Sequence, residues 1–400
     1  YKGGETETGR ESSFIYFVSP TPNNGANVYR EVLINTSIDS DVNQVSLNWN
    51  GVDYSLYNNY LLIMFGFNNI ISLGENPTTI KDSSKYGYAP LINGATWTSN
   101  GKYGGAFSFN GAGNYLTIND GKSFAFEKAD EDFTTMAWIK LSVTGNYQSI
   151  ITKEDNNDDF WRMYVWNNNK IYCSLDGKDF YSTSTLLADK WYHVACVFDK
   201  SGNGQVYISG VADGASVALS NELLDLSNPN VYIGYSGFGA GSEFYFNGLI
   251  DELQIWNKSL SAAEVNQFYS SNLYKYNLDK WNLFVNKTNL LTGTYSYSAS
   301  ANIGGLISNT EQRSINVQGL ICTDSDHDNY NSTPTLECGI IDCNDNDASI
   351  YPGATEIPYD SIDQNCDGYD FLDVDGDWYC KSGYSIENKA AQCQKETGST

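Results

Sequence analysis

Apolar residues in this chain recur at every second position in short runs, and almost nowhere at the three-to-four spacing of a long helix. Runs such as Ala106-Phe-Ser-Phe, Asn114-Tyr-Leu-Thr-Ile, Phe133-Thr-Thr-Met-Ala-Trp-Ile-Lys, Trp191-Tyr-His-Val-Ala-Cys-Val-Phe, Gln205-Val-Tyr-Ile-Ser and Val231-Tyr-Ile-Gly alternate apolar with polar and are separated by Gly, Asn and Asp turns. A period of two places one face of an extended strand against a core and the other outward, so the chain is predicted to be all-β. Residues 61–270 alone hold about a dozen such runs, and that many antiparallel strands must close into a two-sheet sandwich.

Within that stretch, Gly101-Lys-Tyr-Gly-Gly-Ala-Phe-Ser-Phe-Asn-Gly, Phe133-Thr-Thr-Met-Ala-Trp-Ile, Lys190-Trp-Tyr-His-Val-Ala and Gly248-Leu-Ile-Asp-Glu-Leu-Gln-Ile-Trp-Asn-Lys-Ser-Leu-Ser-Ala-Ala-Glu-Val follow one another in order. They resemble the concanavalin A-like jelly roll of the laminin-G-like family. The resemblance implies adhesion and recognition of glycans or proteins, often with calcium at one edge of the sandwich. Ser261 and Glu264 have the spacing of a capping box, which predicts a short helix closing the domain.

The flanks each hold too few strands to bury both faces. Phe14-Ile-Tyr-Phe-Val-Ser-Pro, Val32-Leu-Ile-Asn-Thr-Ser-Ile and Val45-Ser-Leu-Asn-Trp-Asn-Gly precede the jelly roll; Trp281-Asn-Leu-Phe-Val, Gly293-Thr-Tyr-Ser-Tyr-Ser-Ala-Ser-Ala and Gln312-Arg-Ser-Ile-Asn-Val follow it. Together they make about seven, the immunoglobulin-like number. They resemble the two halves of an immunoglobulin-like repeat of bacterial and archaeal surface proteins. The expected organisation is a host sandwich in residues 1–60 and 271–319, a jelly roll inserted as residues 61–270, and a separate segment, 320–400.

That last segment carries 17 acidic and 3 basic residues, −14 of the total −25. With no basic surface anywhere to neutralise phosphates, nucleic acid is excluded as a partner. An acidic run is commonly a solvated disordered tail, but here the carboxylates are regularly spaced. Asp324, Asp326 and Asp328; Asp342, Asn344, Asp345, Asn346 and Asp347; Asp363, Asn365 and Asp367; and Asp373, Asp375 and Asp377 stand in short loops. Alternating oxygen ligands in tight turns suit a hard cation, and calcium, as several ions, is the expected cofactor. An EF-hand is not expected, since twelve-residue loops opened by Asp324 or Asp373 end at Thr335 or Tyr384 rather than Glu. The stretches around Cys343 and Ile362 resemble the MopE-type metal-binding repeat, a name associated with copper, and the Asp-x-Asp-x-Asp units resemble thrombospondin type 3 repeats.

Cys322, Cys338, Cys343, Cys366, Cys380 and Cys393 fall in the same segment, which is too poor in aliphatic residues to fold on a core alone. Disulfides are the expected use, because no Cys-x-x-Cys and only His327 nearby argue against zinc. Cys173 and Cys196 lie on strands that are candidates for neighbours in one sheet, as a cross-strand disulfide or as two buried thiols. Asn35, Asn257, Asn286 and Asn331 are glycosylation sequons, consistent with an extracellular, cell-surface protein. No apolar run reaches the eighteen residues of a membrane span. The chain reads as a piece of something larger, any anchor lying outside it.

Catalytic residues are not expected. Asp251 and Glu252 are neighbours on a strand and should face opposite ways, and no Glu-x-Asp-x-x-Glu pattern occurs. Asp251 is a candidate calcium ligand or hydrogen-bond acceptor, with Asn114 and Asp120 weaker candidates. His193 is expected to be packed in a strand. Phe160, Trp161 and Trp166 are candidates for a glycan-stacking groove or for core. The partners implied are surface glycans or proteins, or further copies of the chain in a filament or surface layer.

Overall fold

Strand Phe133–Leu141 is buried along nearly its whole length because it runs between Trp191–Phe198 and Asn247–Trp256 in the middle of a sheet. Its aromatic and β-branched side chains fill the pleated surface on both faces. The computed structural model describes residues 13–119, 124–128, 130–154, 159–219, 224, 226, 230–237, 243–319, 322–332, 338–357, 360, 362–368, 379–380 and 394–395. Asp120, Asp373, Asp375, Asp377 and Cys393, and the side chain of Cys380, lie outside the described residues. The chain divides into two compact units, Tyr1–Val317 and Gln318–Thr400.

In the first unit, one face of the jelly roll is a seven-stranded sheet ordered Lys178–Tyr181, Ile171–Leu175, Phe160–Val165, Gln148–Glu154, Asn230–Ile233, Tyr115–Asn119, Leu91–Asn93. The other is a nine-stranded sheet centred on Trp191–Phe198, Phe133–Leu141 and Asn247–Trp256, which Leu61–Phe65 joins by pairing with Asn247–Trp256. Between them Phe126, Phe133 and Phe198 stack, with centroids 4.1 and 4.2 Å apart, and Trp161 is fully buried with its Nε1 donating to the Phe124 carbonyl at 2.7 Å. Each such burial contributes roughly 1.5–3 kcal/mol. The helix Ala262–Tyr269 begins at a complete capping box: Ser261 Oγ accepts from the Glu264 N–H, and Glu264 accepts from the Ser261 N–H.

Cys173 and Cys196 form a disulfide, with Cα atoms 5.9 Å apart and both residues fully buried. The expectation that their strands are neighbours in one sheet is corrected. Cys173 belongs to the seven-stranded sheet and Cys196 to the nine-stranded one, so the bond crosses the sandwich. Alternation explains it, because both side chains point inward, from opposite layers, into the same core.

Both flanks of the jelly roll meet in two shared sheets. Ile15–Val18, Val32–Ile38, Lys280–Lys287 and Ser271–Asn277 form a four-stranded sheet; Ala26–Tyr29, Arg313–Gln318, Gly293–Ile303, Gln44–Trp49 and Val52–Tyr57, with Leu306–Asn309 beside Gly293–Ile303, form a six-stranded one. Val32–Ile38 pairs with Lys280–Lys287 and Gln44–Trp49 with Gly293–Ile303, residues some 250 positions apart joined by backbone bonds. The jelly roll is thus inserted between the two halves of a second, host domain built on shared four- and six-stranded sheets. The count of about seven strands is too low, since Ala26–Tyr29, Val52–Tyr57, Ser271–Asn277 and Leu306–Asn309 add to it. Met64, Met136 and Trp256, on the outer face of the nine-stranded sheet, share one buried cluster with Tyr57, Trp281 and Leu283 of the host. Insert and host are therefore packed together rather than tethered.

Among its described residues the second unit is mostly turns and bends, with one short parallel pair, Tyr379–Cys380 and Gln394–Lys395. The Cys322–Cys338 and Cys343–Cys366 disulfides join cysteines 16 and 23 positions apart, and Tyr330 stacks on Tyr351 with centroids 5.4 Å apart.

Candidate functional site

Strand Phe160–Val165 and the residue after it sort by alternation. Trp161, Met163 and Val165 enter the jelly-roll core, while Phe160, Arg162, Tyr164 and Trp166 line a cleft of about 530 Å³ on the outer face of the seven-stranded sheet. The candidate groove aromatics are thereby split: Phe160 and Trp166 face the cleft, and Trp161 is core. Register extends the stripe across neighbouring strands, since Tyr164 pairs with Tyr172 and Tyr172 with Tyr181. Tyr172 stacks on Tyr181 at 4.8 Å and on Trp166 at 5.2 Å, while Tyr147 meets Trp166 edge-on at 4.4 Å. The Arg162 guanidinium lies 3.8 Å over the Phe160 ring, and burial lowers its pKa. Asp179, the lining carboxylate among the described residues, accepts from Ser174 Oγ. The arrangement offers flat apolar rings beside a few fixed polar groups, the composition of a small-ligand site. The tyrosines at 147, 164, 172 and 181 were missed in sequence; the alternation around Trp161 was the signal that would have found Tyr164.

On the opposite sheet, the expectation that Asp251 and Glu252 face opposite ways is corrected. Register slips here, with Met136 opposite Gln254 but Trp138 opposite Asp251, and Glu252 has φ of 48°. This β-bulge puts both residues between inward-facing Ile250 and Leu253, so both side chains leave the core on the outer face. Asp251 accepts from three backbone N–H groups, Lys102 (2.9 Å) and Tyr103 (3.0 Å) on Oδ2 and Glu252 (2.8 Å) on Oδ1. It anchors a turn and joins no carboxylate group placed to hold an ion among the described residues. Burial and then the Asp251 charge raise the Glu252 pKa, which the side-chain amides of Asn272 and Asn68 partly offset. Burial also raises the Asp251 pKa, to about 8, but its three backbone donors work against that rise, so of the two Glu252 holds its proton more firmly. His193 is packed edge-on against Trp138 at 5.5 Å, and burial lowers its pKa to about 3, so it is neutral.

In the second unit, Asp326, Asp328 and Asp342 each bring a carboxylate oxygen within 4.8 Å of the other two. In each, Oδ1 caps a turn by accepting a backbone N–H: from Asp328 to Asp326 (3.3 Å), from Tyr330 to Asp328 (2.8 Å) and from Asn344 to Asp342 (2.8 Å). In each, Oδ2 is buried without a hydrogen-bond partner. Asp342 is 4% exposed. Three acidic oxygens gathered, desolvated and unpaired are unfavourable without a cation. Burial and the neighbouring Asp328, Asp342 and Asp324 charges raise the Asp326 pKa accordingly. The donors are all oxygen. Cys343 and Cys366, close to Asp342, are oxidised, and His327 Nδ1 lies 3.2 Å from the Ser325 carbonyl, so the set suits a hard divalent ion rather than copper.

The other acidic candidates take different parts. Asp324 also lies within 4.8 Å of Asp326 and Asp345, but its oxygens accept from the His327 and Asn329 N–H groups. Asp345 is clamped by Ser325 and Ser332, which holds its pKa low. Asp347 accepts from Ser349, and Asp363 from the Asp367 and Gly368 N–H groups. Asn365 Oδ1 accepts from the Asp367 N–H, Asn344 donates its N–H to Asp342 and Asn346 its N–H to the Asn344 carbonyl, and Asp367 is in none of the carboxylate groups among the described residues. Asn331, read in sequence only as a sequon, is the residue that assembles the trio. Its side-chain amide donates to the Cys338 carbonyl and its own carbonyl accepts the Asp342 N–H at 2.9 Å, drawing Asp342 to the earlier loop. At 6% exposure it is a poor glycan acceptor, whereas Asn257 is exposed and Asn35 and Asn286 are half-buried in paired strands.

Residues 110–266 match the laminin-G model described as concanavalin A-like lectin/glucanases superfamily, and residues 342–370 match the MopE-type metal-binding motif. Botulinum neurotoxin type G of Clostridium botulinum is 24% identical over 245 residues, 54% of this chain; the chain spans 18% of that relative's length. Among solved structures, the binding domain of botulinum neurotoxin serotype G is 19% identical, covering 52% of this chain and 50% of that one, with a TM-score of 0.41. A mutant Trypanosoma rangeli sialidase displaying trans-sialidase activity is 16% identical over 52% of this chain and 32% of its own, with a TM-score of 0.39. Among the described residues no helix is long and apolar enough to cross a membrane. Residues 110–266 belong to the concanavalin A-like, laminin-G-like domains, and residues 342–370 to the MopE-type metal-binding motifs.

Proposed function

We propose that this chain is a non-enzymatic, secreted, modular cell-surface protein, in which the jelly roll binds a surface glycan or protein and the C-terminal segment is a calcium-stiffened connector. The observation that carries the binding role is the cleft floored by Phe160, Arg162, Tyr164 and Trp166, whose rings stack against pyranose faces. Glycoside hydrolysis needs two facing carboxylates, and the lining described here supplies Asp179, already engaged with Ser174. For the connector, the unpaired Oδ2 atoms of Asp326, Asp328 and Asp342 support calcium, which would neutralise them and, with the Cys322–Cys338 and Cys343–Cys366 bonds, fix the loops. We place the host in residues 1–60 and 271–319, the insert in 61–270 and the connector in 320–400.

A calcium titration of chelator-treated protein, read by thermal melting and by light scattering, tests the connector. Stabilisation at constant mass is expected; growth in mass transfers the role to self-assembly into a filament or layer, and no response removes calcium from the reading. A glycan array with wild-type and Trp166→Ala protein tests the cleft, and hydrolysis of any bound glycan would end the non-enzymatic reading.

A further inference from the structure

A second cleft, of about 480 Å³, lies between host and insert within the first unit. Its floor is the outer face of the four-stranded host sheet. Register sets Asn272, Phe284 and Asn35 side by side, and Tyr274, Asn282 and Ser37 in the next row. Its rim is the insert, through Asn68, Ile70, Tyr103 and Gly104. Ser72 Oγ donates to the Tyr276 carbonyl at 2.9 Å, fastening that rim to the sheet.

The chemistry of the walls is uniform. Four carboxamides, Asn35, Asn68, Asn272 and Asn282, and three tyrosines, Tyr103, Tyr274 and Tyr276, line it, with no charged side chain among the lining residues described. Carboxamides offer a donor and an acceptor in a fixed fork, which matches vicinal hydroxyls. Tyr274 and Tyr276, with centroids 6.3 Å apart, and Phe284 give flat apolar surface for a sugar ring. The volume falls within the roughly 300–1,000 Å³ of small-ligand sites. An ionised ligand would find no counter-charge on these walls.

The amides are also positioned. Asn68 Oδ1 accepts from the Gly105 N–H at 3.2 Å and Asn35 Nδ2 donates to the Ser19 carbonyl at 3.1 Å. Glu252, buried behind the cleft, is flanked by both Asn68 of the insert and Asn272 of the host. The bulge that turns Glu252 outward therefore brings one carboxyl group beside two of the four amides.

We propose that this cleft is a binding site for a neutral saccharide, separate from the aromatic cleft of the jelly roll, with Asn282, Tyr274 and Tyr276 as contact residues and Glu252 as a positioning residue. The test uses N,N′-diacetylchitobiose, lactose and cellobiose as probes, titrated by calorimetry into the full chain carrying Trp166→Ala, so that the jelly-roll cleft is disabled. At least one probe is expected to bind, with affinity reduced at least tenfold by adding Asn282→Ala or Tyr276→Ala, both outward-facing substitutions that leave the melting temperature in place. Glu252→Gln is expected to retain binding and Glu252→Ala to weaken it. Absence of binding by all three probes, or binding unchanged in both added variants, overturns the proposal. Binding lost in Trp166→Ala but present in wild type assigns the sugar to the jelly-roll cleft alone, which separates failure here from failure of the functional reading above.

Discussion

Asp251 and Glu252 are consecutive in sequence and yet emerge from the same face of strand Asn247–Trp256, because the bulge opposite Ala137 gives Glu252 a left-handed backbone. The two buried carboxyl groups then cannot both ionise at ordinary cost: burial raises both, and Glu252, which lacks the three backbone donors of Asp251, holds its proton more firmly.

That proton makes stability pH-dependent. The folded state holds it and the unfolded chain releases it above about 4.5, so stability present at lower pH is lost as pH rises through the raised Glu252 value. Glu252→Gln should flatten this slope, melting higher than wild type at pH 8 and no differently at pH 4. Melting curves across that range, in chelator so that the metal loops stay silent, check it; parallel profiles for the two proteins would refute the assignment.

Calcium should stabilise the second unit through Asp326, Asp328 and Asp342. Asp342→Asn is expected to weaken calcium binding at least tenfold while leaving the calcium-free protein no less stable, since one of three crowded charges is gone. Because the Asp326 pKa is raised, affinity should also fall on mild acidification, protons competing for the same oxygens. Calorimetric titration of both proteins at two pH values reads both effects.

The bond between Cys173 and Cys196 ties one sheet to the other. Replacing both by Ala should cost about 2–4 kcal/mol, seen in denaturant unfolding of the first unit's transition. A loss under about 0.5 kcal/mol would mean that the surrounding core alone fixes the two layers.

Trp166→Ala should abolish glycan binding by the jelly-roll cleft and cost no more than about 1 kcal/mol of stability, since Trp166 stacks beside Tyr172 on the outer face and takes no part in the sandwich core. A fall in stability of several kcal/mol would instead make it a packing residue.

Expressed in an N-glycosylating host, the protein should carry glycan at exposed Asn257 and none at Asn331, whose amide is spent on the Cys338 carbonyl. Peptide mapping by mass spectrometry distinguishes the two sites.

Period-two alternation was enough to read sheets in residues 61–270, and the order of motifs ending at Val265 was enough to read the jelly roll, because both depend on local spacing. The capping box at Ser261 and Glu264 was equally legible, its two bonds spanning three residues. Asp spacing announced a metal-binding segment, but every acidic loop looked alike. Only folding separates Asp326, Asp328 and Asp342, whose Oδ2 atoms are left unpaired, from Asp345, Asp347 and Asp363, whose oxygens are taken by nearby donors.

What the sequence determined alone is the chemistry that repeats along it: alternation, turn residues, carboxylate loops and caps. The tertiary structure decided everything that joins distant positions. It set Asn331 against Asp342, Cys173 across the sandwich from Cys196, and Val32–Ile38 beside Lys280–Lys287. It also placed a bulge where alternation predicted none. The physical reason is that side-chain periodicity fixes which face is apolar but not which partner covers it; that choice belongs to pairing and packing over long separations.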